Sequence, residues 1–134
     1  MKKLRALFFL AIFTFSFPLQ TQIIAFPNIS EDISAPFLSG SSSGVARYFD
    51  NGLGMNLNGK KGDYSKNQAE LLLRDFFKQH PPLHFEVIRK GGITEHVTYF
   101  LANYHSTKSK FRVLIQGTNQ NQRITIFSLD IIKQ

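Results

Sequence analysis

Residues 59–82 read GKKGDYSKNQAELLLRDFFKQHPP, and the fold turns on them. Ser65 is followed three positions on by Gln68, so the serine can accept from a free helix N–H while the glutamine reaches back. Ala69, Leu72, Leu73, Phe76 and Phe77 then recur at i, i+3, i+4, i+7 and i+8, an apolar stripe at the helical repeat. Lys66, Glu70, Arg74, Asp75 and Lys78 take the opposite face. Pro81-Pro82 lacks the next N–H donors and ends the element. The spacing predicts a capped amphipathic helix whose two phenylalanines need a large apolar surface to pack on. Gly59-Lys60-Lys61-Gly62-Asp63 before it reads as a turn, with two glycines able to take positive φ.

Downstream lie four strand-like runs. His84 to Lys90 is β-rich and closes at Gly91-Gly92. Val97 to His105 carries apolar residues on both parities, as a strand covered on both faces, or a bent one, would. Phe111, Val113 and Ile115 alternate with Arg112 and Gln116. In the last run the parity changes from Ile124 and Ile126 to Phe127, Leu129 and Ile131, which predicts a bulge near Ile126. Ser106 to Lys110 and Gly117 to Gln122 read as hairpin loops. Upstream, Leu53, Met55 and Leu57 alternate with Gly54, Asn56 and Asn58 as a half-exposed strand. Asn28 and Glu31 offer a cap to a first helix with Ile29, Ile33 and Phe37 on one face, which Pro36 should kink or shorten. Val45, Tyr48 and Phe49 predict a second, short helix. The order of elements is α+β, with N-terminal helices packed on one face of a curved antiparallel sheet.

This arrangement resembles the nuclear-transport-factor-2-like (cystatin-like) superfamily of cone-shaped α+β domains. More narrowly, the chain resembles the small secreted bacterial proteins grouped as domain of unknown function 4783. The likeness rests on Gly59, Lys60 and Gly62, then Tyr64-Ser65-Lys66, Gln68 and Ala69, then Phe76-Phe77 and Pro81-Pro82. Lys110-Phe111-Arg112-Val113 matches a further strand of the pattern, with Ser109 where glycine is usual. The resemblance covers roughly Ile29 to Ile131 and departs at Pro36 and at Asp63, where an apolar residue is commoner. It implies a cone in which the sheet wraps the helix and often leaves a pocket. It implies no particular activity.

The N-terminus speaks to destination. Lys2, Lys3 and Arg5 precede an apolar run from Leu7 to Phe17 interrupted only by Thr14 and Ser16, and Pro18 follows. That layout is a secretory signal peptide, and the run is shorter than the roughly 20 residues that span a bilayer. Ile23-Ile24-Ala25 offers the cleavage site, giving a leader over residues 1–25 and one domain over residues 26–134. Taking the three leader cations from the 16 basic residues leaves 13 against 9 acidic, a charge of +4 in place of +7. So mild an excess favours solubility over a polyanion partner. The chain has no cysteine, so neither a disulfide nor a cysteine-linked lipid anchor can form. Export without disulfides fits a bacterial periplasm or surface.

Residues with chemistry are sparse. His80 and His84 have a four-residue spacing, but Pro81-Pro82 between them keeps them off one helix face, so no metal site is expected. His105 and Asp130, each in a strand, are the candidates for acid–base work in a small hydrolase or isomerase, which would need a buried carboxylate beside a proton-shuttling imidazole. No nucleophile elbow and no phosphate-binding glycine pattern occurs, and no cofactor is implied. Lys60, Lys61, Lys66, Lys108, Lys110 and Arg112 are dispersed, which argues for a solvated basic face over a nucleic-acid groove. Tyr99, Phe100, Tyr104 and Phe111 are the residues that could line a pocket between sheet and helix. The expectation is an exported, non-enzymatic domain that binds a small ligand or a protein, with a homodimer through the sheet as one form. A contact with anionic glycans or lipid headgroups is a further reading, recognisable by binding that weakens steeply with salt.

Overall fold

The computed structural model describes residue 18, residues 29–121 and residues 123–134. The leader expected over residues 1–25, apart from Pro18, and the cap expected at Asn28 lie outside the described residues. Two helices come first, α1 (Ile29–Leu38) and α2 (Ser42–Ala46). Then follow β1 (Phe49–Leu57), β2 (Lys60–Ser65), α3 (Lys66–Gln79), β3 (Pro82–Gly92), β4 (Val97–Ser106), β5 (Lys110–Gln120) and β6 (Arg123–Lys133). The six strands form one curved sheet in the order β2-β1-β6-β5-β4-β3. All neighbours are antiparallel except β1 and β6, which run parallel.

The helix of residues 59–82 forms as its spacing requires. The Ser65 side chain accepts from the Gln68 N–H at 3.2 Å, and the Gln68 side chain accepts from the Ser65 N–H at 3.1 Å. Ala69, Leu73, Phe76 and Phe77 are buried against the sheet. Leu72, expected in that stripe, is only half-buried, and Leu71 beside it is exposed. The covered face is therefore narrower than a full five-residue repeat.

Three further sequence expectations are overturned by the structure. Residues 60–65 are a strand, not a turn, because the reversal is made one step earlier. Asn58 and Gly59, at φ of 52° and 96°, form a two-residue hairpin that pairs Leu57 with Lys60. Positive φ at both central positions is the turn type whose twist matches a hairpin, and Asn-Gly is its commonest pair. The Asn56 side chain closes it by accepting from the Gly59 N–H at 2.8 Å. The second correction is at Phe49, which opens β1 and does not close a helix. Its helix stops at Ala46, with Ser41 capping it through the Gly44 N–H. Residues 117–120, expected in a loop, extend β5, so the last pair before the turn is Gln120 with Arg123.

The parity change in β6 is a bulge. Gln116 pairs with Ser128 and Gly117 with Ile126, leaving Phe127 without a partner. Gly117 makes this possible, since a Cβ there would stand 2.7 Å from the Thr125 carbonyl. Similar slips in β3 leave Leu83 and Ile88 unpaired along the sheet edge. Each bulge bends its strand, so the sheet curves around the helices.

One face of the sheet is packed by α1, α2 and α3 around a single apolar core. Phe37 of α1 stacks on Phe85 of β3 at 4.6 Å between centroids and meets Phe77 of α3 edge-on at 6.0 Å. Phe76→Ala removes a ring from the centre of this core and should cost about 3–5 kcal/mol, whereas Leu72→Ala at the rim should cost under about 2 kcal/mol. Urea titrations of the two variants measure the difference. Equal losses would contradict the burial of the helix.

Candidate functional site

The helix-covered interior is the first place to look for a site. Phe100, Tyr104 and Phe111, three of the four aromatic residues expected at a pocket, are 4%, 0% and 2% exposed. Phe76 lies 5.4 Å from Tyr104 and 5.1 Å from Phe111 between ring centroids. Phe76, Tyr104 and Phe111 pack directly on one another as core, and Phe100 is buried on the same side of β4. Tyr99, the fourth, has the opposite parity in β4 and lies on the uncovered face. Sequence alternation alone could not separate wall from filling, because both look like aromatic residues in strands.

One polar atom enters this core. The Tyr104 hydroxyl donates to the backbone carbonyl of His80, the residue that closes α3, and the His80 N–H donates to the Phe76 carbonyl at 2.8 Å. Burial pushes the Tyr104 phenol well above the ordinary tyrosine range.

His105 and Asp130 are not brought together. His105 pairs with Lys110 and Asp130 with Leu114, which places them two strands apart and four residues along. At normal strand spacings their Cα atoms are about 16 Å apart, beyond any shared proton. His105 instead faces His84, with ring centroids 5.5 Å apart, and His84 reaches Glu86 at 3.5 Å on the exposed surface. Asp130 lines a shallow depression of about 370 Å³ with Asp63, Lys61 and Asn56. Among the described residues no group of three or more His, Cys, Asp or Glu side chains is placed to hold a metal ion. No helix among them is long and apolar enough to cross a membrane.

The sheet face opposite the helices has nothing packed over it among the described residues. It carries Val97, Tyr99, Leu101 and Asn103 from β4, Arg112, Leu114 and Gln116 from β5, and Ser128, Asp130 and Ile132 from β6, all half-buried. Leu101 and Leu114 are directly opposite each other, and Arg112 and Asp130 are diagonal neighbours on adjacent strands. Arg112 Nε is buried without a hydrogen-bond partner among the described residues. A second feature is a cleft of about 580 Å³ between the end of α3 and the β4–β5 turn, lined by His80, Thr107, Lys108, Ser109 and Lys133 among others. A third, of about 540 Å³, lies where α1 and α2 approach the β5–β6 turn, with Asp32, Arg47 and Arg123 in its walls. The sequence gives no sign of the cleft at α3, since its residues come from three distant parts of the chain.

Comparison with known proteins follows this geometry. The family model described as domain of unknown function (DUF4783) matches residues 30–131. A DUF4783 family protein from Bacteroides uniformis superposes with a TM-score of 0.73 at 20% identity, over 80% of this chain and 98% of that one. A domain of unknown function with a cystatin-like fold from Nostoc punctiforme gives 0.61 at 14% identity, over 78% and 72% of the two chains. An NTF-2 like protein of unknown function from Silicibacter pomeroyi gives 0.58 at 9% identity, over 78% and 88%. Identities this low speak to the fold alone. No curated protein matches the chain.

Tyr104→Phe leaves the part-buried His80 carbonyl without its partner and should cost about 1–2 kcal/mol at neutral pH. The raised phenol adds a pH signature. Stability tied to its protonated form is whole below pH about 10 and is lost above it, because the unfolded chain releases that proton first. Chemical denaturation between pH 7 and 11 should show a shallower alkaline loss in Tyr104→Phe than in the parent. Parallel curves would contradict a buried phenol.

Proposed function

The chain belongs to the DUF4783 family, and on that premise we propose that it is an exported, non-enzymatic interaction domain that works through the open face of its sheet. The partner that best fits this face is a second copy of the chain. The observation that carries the reading is the contrast between the two faces. The covered face buries Phe100, Tyr104, Phe111 and Ile115, while the open one presents Leu101 and Leu114 side by side with Arg112 Nε unpartnered at their edge among the described residues. A half-buried apolar centre ringed by polar groups is the chemistry of a protein contact.

Self-pairing follows from the charges. Arg112 and Asp130 lie diagonally across β5 and β6, and neither side chain makes an ion pair among the described residues. A two-fold axis between them would set the guanidinium of one copy on the carboxylate of the other. Three strands about 14 Å wide and up to seven residues about 23 Å long give a footprint of roughly 300 Å² per copy, the size of a weak, transient contact. Export is supported by the Lys2-Lys3-Arg5 cluster ahead of the apolar run of residues 7–17.

Two measurements test the reading. Mass spectrometry of protein recovered from the outside of exporting cells should find Phe26 as the first residue; protein retained inside with Met1 intact would overturn export. Sedimentation velocity should show concentration-dependent dimers that Leu114→Glu abolishes without lowering the melting temperature. A parent chain that stays monomeric up to about 1 mM, a variant that dimerises as the parent does, or turnover of a substrate lost with His105→Ala would each sink the proposal.

A further inference from the structure

We propose that the cleft at the end of α3 is a binding site for a phosphate group, carried either on a lipid headgroup or on a soluble phosphorylated compound. Its charged and polar walls are His80 from the end of the helix, Thr107, Lys108 and Ser109 from the β4–β5 turn, and Lys133 from the last strand. No carboxylate side chain lines it. The ion pairs among the described residues, Arg74 with Glu70 and His84 with Glu86, involve neither lysine. Two unneutralised ammonium groups around one concavity repel each other, and an arriving anion removes that repulsion.

The backbone that carries these groups is fixed before any ligand arrives. The His80 ring is held between Phe76 and Phe111, at centroid distances of 5.2 and 4.9 Å. Its N–H and carbonyl are engaged by Phe76 and Tyr104, yet its ring nitrogens have no hydrogen-bond partner among the described residues. The turn beneath Lys108 is closed twice, since the Ser106 N–H and hydroxyl both donate to the Ser109 carbonyl, at 2.9 and 3.2 Å. Lys133 is held through its own N–H, which donates to the Asn58 side chain at 3.3 Å. Only the two lysine side chains must order on binding, so the entropic cost is small.

The wall chemistry selects the ligand. Lysines bind phosphate as point charges, and the two that line the cleft face no carboxylate side chain within it. Threonine and serine hydroxyls add donors of the kind phosphate oxygens accept. At about 580 Å³ the cleft exceeds one phosphate and leaves room for part of its carrier. The site is separate from the open sheet face, so either proposal can fail while the other stands.

The test uses the full chain with two probes, inorganic pyrophosphate by calorimetry and phosphatidylglycerol vesicles by co-sedimentation, with phosphatidylcholine vesicles as the neutral control. Pyrophosphate should bind, more weakly as salt rises from 50 to 500 mM, because screening shortens the reach of exposed charges. Lys108→Gln and Lys133→Gln should each weaken it about tenfold, the loss of one charge-assisted contact. Lys90→Gln, which removes the same single charge from exposed β3 away from the cleft, should leave affinity unchanged. Capture by phosphatidylglycerol vesicles that pyrophosphate competes away supports the site with a lipid source. Pyrophosphate binding without capture supports it with a soluble source. Binding of neither probe, or equal losses in the cleft and Lys90 variants, would overturn the site.

Discussion

The contact of Phe76 with Tyr104 and Phe111 is the one on which the rest of the molecule depends. It joins the helix to the middle of the sheet, and Phe77 extends it through Phe37 to Phe85 at the sheet edge. Elements far apart in sequence are tied by one aromatic network, and the chain has no disulfide to do the work instead. A phenol inside such a network needs a partner, and a helix end has carbonyls without one. The bond from Tyr104 to His80 answers both needs at once. It also fixes where the helix stops relative to β4, and so sets the wall of the cleft beside it.

Curvature supplies the second constraint. A sheet that wraps a helix must bend, and it bends where a strand carries one residue too many. Phe127, Leu83 and Ile88 are those residues. In β3 the bulges also interrupt the free hydrogen-bonding edge, which discourages pairing with a stray strand. The face turned away from the helices is a broad surface that the described part of the fold leaves unused.

How far this was legible in the sequence follows from the range of each signal. The Ser65–Gln68 cap, the stripe to Phe77 and the Pro81-Pro82 stop are local and physical, and they form as read. The bulge at Phe127 was legible because parity is a short-range property of a strand. The β1–β2 hairpin was misplaced because two glycines at positions 59 and 62 drew the turn forward, although Asn58-Gly59 was the stronger signal. Leu72 was overvalued because periodicity gives the direction of a face and not its width. The candidate site was mostly illegible. Whether Tyr104 fills a cavity or lines one depends on how closely α3 approaches the sheet, and His80, Lys108 and Lys133 meet only through topology.

These positions explain why the residues that mark the family say so little about activity. Ser65 caps a helix, Phe76 and Phe77 fill the core, and Gly62 lies under the Tyr64 ring, where a Cβ would stand 2.7 Å from its hydroxyl. Each is needed for the backbone to close, whatever the protein binds. Residues that recognise a partner have the opposite requirement, since they must stay unsatisfied until it arrives. Arg112 Nε, the paired leucines of the open face and the unneutralised lysines of the cleft meet it. A site in this fold is therefore to be sought where the chain leaves its own chemistry incomplete, because the residues that complete the fold have no chemistry left to offer.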